Sequence, residues 1–120
     1  MSFRELQSSL NSFARERDWE QFHTPKNLIM ALTGEVGELT ELFQWLTPQE
    51  CEAVAVNEVQ RVRVAEEMAD ILAYLLRLAD VLSIDLEAAL KAKIVVNEQK
   101  YPVDRSRGNA RKYTDYEEQS

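Results

Sequence analysis

Glu35-x-x-Glu38 and Glu67-x-x-Asp70 each set two carboxylates at the spacing that shares one face of an α-helix. Where the two carrier helices pack as neighbours, four oxygen-donor side chains converge. Hard divalent cations take such ligands, and Mg²⁺ keeps several waters and completes its octahedron with substrate phosphates. A donor set without His or Cys disfavours zinc and copper. One such pair is weak evidence, because surface helices are rich in Glu; two pairs beside apolar stripes carry more weight. A di-iron bundle would use similar acids, but its pattern is Glu-x-x-His on two helices. The only histidine, His23, falls outside both pairs.

The elements that must position these acids read as helices. In the stretch Leu28 to Leu46, apolar Leu28, Ala31, Leu32, Leu39, Leu42 and Leu46 recur at helical spacing. Glu35 and Glu38 project into that stripe, where carboxylates are costly unless neutralised or coordinated. Gly34 and Gly37 flank them, each costing about 1 kcal/mol relative to Ala in a helix interior. The bland alternative is a solvated Glu pair at the stripe's edge. Thr24-Pro25 reads as N-cap and first helical position of this central helix. Before it, Phe3, Leu6, Leu10 and Phe13 mark a first helix capped by Ser2 and ending near Asp18. The link from Trp19 to His23 is irregular. Thr47 and Glu50 have capping-box spacing, so Cys51 to Asn57 is a short helix or a continuation, with a kink or loop near Asn57.

A long helix follows from about Glu58 to Leu82, with Val62, Ala65, Leu72, Leu75, Leu76, Ala79 and Leu82 as its broad apolar face. Glu67, Asp70 and Tyr74 lie together beside that face. Asp85 caps a fourth helix to about Lys100, with stripe Leu86, Ala89, Leu90 and Ile94, and Pro102 stops it. The tail from Val103 is polar. The expected organisation is a helical domain over residues 1–102 and a tail over 103–120.

Composition bounds the rest. One domain is the default for 120 residues, and only three Gly and three Pro favour long helices over a many-turned β fold. A net charge of −7 argues against a nucleic-acid polymer as partner, while leaving room for one nucleotide bound through a metal. The lone Cys51 allows no internal disulfide and fits a reducing compartment. The start MSFRELQ lacks a signal peptide's apolar region, and the longest apolar run, Ile71 to Leu76, is too short to span a bilayer. The expectation is a cytoplasmic protein with no membrane partner.

With those residues in view, the chain resembles the MazG-like all-α nucleoside triphosphate pyrophosphohydrolases. GEVGEL around Glu35 and Glu38, AEEMADIL around Glu67 and Asp70, and Lys93-x-x-x-Asn97 carry the resemblance. Arg17 to His23 (RDWEQFH), Glu41 to Trp45 (ELFQW), Lys100 to Val103 (KYPV) and Arg111 to Thr114 (RKYT) point to the dCTP pyrophosphatase branch. The resemblance implies an all-α bundle of four main helices, assembled as a homo-oligomer, with a tetramer favoured over a dimer. It implies Mg²⁺-dependent hydrolysis of deoxynucleoside triphosphates, dCTP or a modified dCTP first, to the monophosphate and pyrophosphate. Glu35, Glu38, Glu67 and Asp70 match its metal-binding acids, and Glu38 is favoured as the residue that also orients the water. Lys93 and Asn97 would meet the triphosphate or the attacking water. Trp19, Trp45 and Tyr74 are candidates for a base pocket, with His23 nearby. Tyr101, Arg107, Lys112 and Tyr113 would close over the phosphates. Stacking discriminates bases poorly, so cytosine selection needs hydrogen bonds that the sequence does not identify. The alternatives are a broad-specificity house-cleaning hydrolase and a non-catalytic helical interaction module.

Overall fold

A computed structural model describes residues 1–108, and every regular element among them is helical. The order is α1 (Phe3–Glu16), α2 (Pro25–Phe43), α3 (Pro48–Ala53), a 3₁₀ turn (Val54–Val56), α4 (Glu58–Val81), α5 (Leu86–Lys100) and α6 (Val103–Ser106). The starts follow from capping. Ser2, Thr24, Thr47, Asn57 and Asp85 each accept a backbone N–H of the first turn through a side-chain oxygen. At Thr47 the Glu50 carboxylate accepts the Thr47 N–H in return, closing a capping box.

The ends differ from the sequence expectation in three places. The central helix stops at Phe43 instead of Leu46, because Thr47-Pro48 starts a new helix and the residue before proline is held extended. The first helix stops at Glu16; Asp18 then takes a left-handed conformation (φ 54°) and the Trp19 N–H returns to the Ala14 carbonyl at 2.9 Å. The polar tail makes one further turn, α6, beyond Pro102. The segment after Thr47 resolves as α3 and the 3₁₀ turn, and Asn57 breaks the chain in extended conformation before capping α4.

The chain divides into two compact units, Met1–Ile84 and a second beginning at Asp85. In the first, α2 and α4 run along each other, and α1 and the 3₁₀ turn pack on α4. The buried apolar side chains are few: Ala14, Leu28, Val54, Leu76 and Ala79. Much of the apolar face expected on α1 and α4 is exposed in the single chain, including Leu6, Phe13, Val62, Leu72 and Leu82. In the second unit, α5 contains no buried residue and exposes Leu90, Ile94, Val95 and Val96. No described helix is long and apolar enough to cross a membrane.

Candidate active site

The pairing of α2 with α4 brings the two acidic motifs together. One carboxylate oxygen each from Glu35, Glu38 and Glu67 lies within 4.8 Å of the others. Glu35 and Glu67 are half-buried, and Oε2 of each is sealed from solvent with no hydrogen-bond partner. Glu38 and Asp70 are exposed. An ionised carboxylate only accepts, so the acids cannot satisfy one another while all are charged. The Glu35 carboxyl is accordingly pushed up to about 7, first by burial, then by the Glu38 and Glu67 carboxyls beside it, with Asp70 adding repulsion. Glu67 is raised as well, again with burial as the largest cause. A cation set among these oxygens removes the repulsion and supplies the missing partner. The carboxylate-only donor set fits a hard divalent ion. A Cβ built on Gly34 or Gly37 meets nothing within 4 Å, so close packing inside the chain does not require glycine there.

Beside the acids opens a cavity of ≈ 210 Å³ that Glu35 and Asp70 also line. Its walls include Phe13 and Trp19 from the end of α1 and the following link, His23 from that link, and Tyr74 from α4. Trp19 stands edge-on to Phe13 at 5.5 Å between ring centroids and edge-on to His23 at 6.3 Å. Local backbone bonds set both rings: His23 N–H donates to the Trp19 and Glu20 carbonyls, and the Asn27 side chain of α2 donates to the Phe22 carbonyl at 3.0 Å. Aromatic surfaces beside a cation-competent acid cluster suit a ligand with a planar apolar end and an anionic end.

Arg77 completes the cavity, and sequence reading passed it over. It is 7% exposed. Its Nε donates to His23 Nδ1 at 3.3 Å, and its Nη1 donates to Asn11 Oδ1 at 2.6 Å and to Asp80 Oδ2 at 3.4 Å. Because arginine only donates, Nδ1 of His23 must be the acceptor, and the neutral ring carries its proton on Nε2. Burial, followed by the adjacent Arg77 charge, holds the His23 pKa below its ordinary value against a small opposing pull from Glu20. The signal for Arg77 lay in the spacing: Glu67, Asp70, Tyr74 and Arg77 continue one helical stripe.

Of the other sequence candidates, Trp45 belongs to Met1–Ile84, and Lys93, Asn97, Tyr101 and Arg107 belong to the second unit. Trp45 is 86% exposed and does not line the cavity. Lys93 and Asn97 are exposed on α5, and the Asn97 carbonyl accepts the Tyr101 N–H at the helix end. Arg107 is exposed after α6. Lys112 and Tyr113 lie outside the described residues.

The profile of the MazG-like family matches residues 31–116. The dCTP pyrophosphatase 1 of Rattus norvegicus is 52% identical over 103 residues, which are 86% of this chain and 61% of that protein. The protein of the same name from Homo sapiens is 48% identical over the same shares, 86% and 61%. The chain thus spans less than two thirds of the length of these curated relatives. A crystal structure of a pyrophosphatase from Archaeoglobus fulgidus superposes with a TM-score of 0.73 at 42% identity, covering 82% of this chain and 91% of that one.

Proposed function

This chain belongs to the MazG-like family, and from that premise we propose that it hydrolyses deoxynucleoside triphosphates with Mg²⁺, dCTP or a 5-substituted dCTP first. The observation that carries the proposal is the pair of buried, unpartnered oxygens, Glu35 Oε2 and Glu67 Oε2, in an acid cluster that shares an aromatic-lined cavity. The substrate class rests on the likeness to dCTP pyrophosphatase 1 of several mammals.

In this reading Glu35, Glu38, Glu67 and Asp70 hold the cation. When bound, Mg²⁺ supplies positive charge against the triphosphate, the main electrostatic demand of phosphoryl chemistry. The half-buried Glu35 and Glu67 fix the position of that charge; the exposed Glu38 is free to accept a proton from the attacking water. Water adds to the α-phosphorus, the α–β bridging bond breaks, and the monophosphate and pyrophosphate leave. Trp19 and Tyr74 bound the base, and stacking of that kind is worth about 1–3 kcal/mol per base. Lys93, Asn97, Tyr101, Arg107, Lys112 and Tyr113 for the phosphates, and Trp45 for the base, belong to the proposal on the family pattern.

A homo-oligomer, a tetramer before a dimer, is part of the same reading. The apolar residues exposed on α5 and the small core of Met1–Ile84 leave surface that a second copy would bury. The single free Cys51 suits a cytoplasmic, reducing setting.

The test is pyrophosphate release across the canonical and several 5-substituted deoxynucleoside triphosphates, with Mg²⁺ and with chelator. The expected result is metal-dependent turnover with the highest kcat/KM on a cytosine nucleotide. Comparable kcat/KM on purines and pyrimidines would replace the cytosine assignment with a broad house-cleaning activity. No release from any triphosphate would overturn the hydrolase reading.

A further inference from the structure

Arg77 is a buried charge whose hydrogen bonds stop short of its capacity. A guanidinium has five N–H donors. Those on Nε and Nη1 meet His23, Asn11 and Asp80, whereas Nη2 donates to no described residue. Nη2 is also absent from the oxygens and nitrogens sealed away from solvent. Arg77 is 7% exposed and lines the ≈ 210 Å³ cavity. The three existing bonds fix the plane of the fork, because they tie it to α1, to the link before α2 and to its own helix. Beside it, His23 carries a proton on Nε2 and adds donor character. The Arg77 and His23 part of this aromatic cavity is therefore rich in rigid donors, and Glu35 and Asp70 line it as well.

A ligand ring that suits this arrangement presents neighbouring acceptors. Cytosine does so with O2 and N3. Uracil and thymine carry N–H at position 3, which sets a donor against a donor. A free guanidinium takes O6 and N7 of guanine with two nitrogens; here Nη1 is used, and Nη2 keeps both of its hydrogens for such a pair. Guanine presents that acceptor pair on a two-ring base, which makes it the discriminating purine control. We infer that Arg77 is the specificity-determining residue of the site, reading the O2/N3 edge of cytosine through the donors that its protein partners leave free. This rests on the hydrolase reading for the kind of ligand, and it adds the group that selects the base. A 5-substituent lies away from the O2/N3 edge, so Arg77 leaves it unread.

The test separates the two claims by using the product and no metal. Binding of dCMP, dUMP, dGMP and 3-deaza-dCMP, whose N3 is replaced by C–H, is measured by calorimetry on the whole chain in chelator. The intact protein should bind dCMP on the order of tenfold or more tighter than each of the others, the range expected for one lost bidentate contact. Arg77→Lys keeps the charge and loses the planar fork. It should bring dCMP and dUMP within about threefold of each other, with the helical signal unchanged. Equal affinity of the intact protein for dCMP and 3-deaza-dCMP, dGMP binding as tight as dCMP, or no measurable dCMP binding would each overturn the assignment. Because the 3-deaza analogue is measured on the intact protein, that outcome does not depend on how well Arg77→Lys folds. Pyrophosphate release is scored separately, so turnover without N3 dependence removes this inference alone.

Discussion

Glu35 of the acid cluster and Arg77 line one cavity and meet the problem of buried charge in opposite ways. Around Glu35 the neighbours are like-charged, and two oxygens have no partner. Around Arg77 the neighbours are acceptors drawn from α1, the link and α4. Burying a charge is costly unless it is paired. The arginine is anchored by the fold itself, so it contributes rigidity; the acids repel one another, a cost that a cation would relieve. Arg77 keeps only Nη2 beyond its anchoring bonds, whereas Glu35 Oε2 and Glu67 Oε2 have no partner among the described residues.

That contrast breaks most visibly in activity. Glu38→Gln should lower kcat by about 10²–10³-fold, the scale of removing one group that acts on the transition state, while leaving the helical signal intact. Near-full activity in this variant would reject the acid cluster as the reaction centre.

In stability the two margins should respond differently to cation. Mg²⁺ at a hundredfold excess over its Kd should stabilise the intact protein by about 2.7 kcal/mol. Glu67→Gln, which removes one repelling charge, should melt higher than the intact protein in chelator yet gain less from Mg²⁺. Melts of both proteins at matched ionic strength check this, and identical shifts would mean that the acids do not share a site. Arg77→Met should behave in the reverse sense. It leaves the acceptors on Asn11 and His23 unpaired, costs about 1–3 kcal/mol, and should cost the same with or without Mg²⁺.

In pH dependence the signs oppose. Glu35 holds its proton more tightly when folded, with its pKa raised from 4.5 to about 7. Between those values the folded chain binds more protons than the unfolded one, so this group's contribution declines as pH rises through the window. His23, lowered below 6.5, acts the other way: the unfolded chain binds more protons there, so its contribution is lost as pH falls below 6.5. In chelator, Glu35→Gln should therefore gain on the intact protein in Tm as pH rises from 4.5 to 8, and Mg²⁺ should erase the gain. A difference that stays flat with pH would show that Glu35 titrates normally.

How much of this the sequence discloses follows from where the information lies along the chain. The helix starts at Ser2, Thr24, Thr47, Asn57 and Asp85 are local, written in a cap and the three residues after it. The acidic motifs are legible for the same reason, since one helical turn suffices to put Glu35 with Glu38 and Glu67 with Asp70. For Arg77 the spacing from Glu67, Asp70 and Tyr74 gives its stripe but not its burial. In LLRLAD it reads as a solvated residue interrupting an apolar run, and its partners Asn11 and His23 lie 66 and 54 residues away. Only tertiary packing turns it inward. Trp45 is legible as an aromatic beside the acidic stripe, whereas the end of α2 at Phe43 and its 86% exposure in the single chain are not. Periodicity likewise marks an apolar face without saying whether this copy or another covers it.

Glu35 and Glu67 sit on different helices, so their repulsion does not exist until α2 and α4 meet. Each helix can form without feeling it, and the cost falls wholly on docking. That makes a cation a probe of timing. If the acids have converged by the transition state, Mg²⁺ steepens the rate of folding; if they converge afterwards, it slows only unfolding. Folding and unfolding limbs recorded with and without Mg²⁺ would place the assembly of the cluster on one side of the barrier or the other.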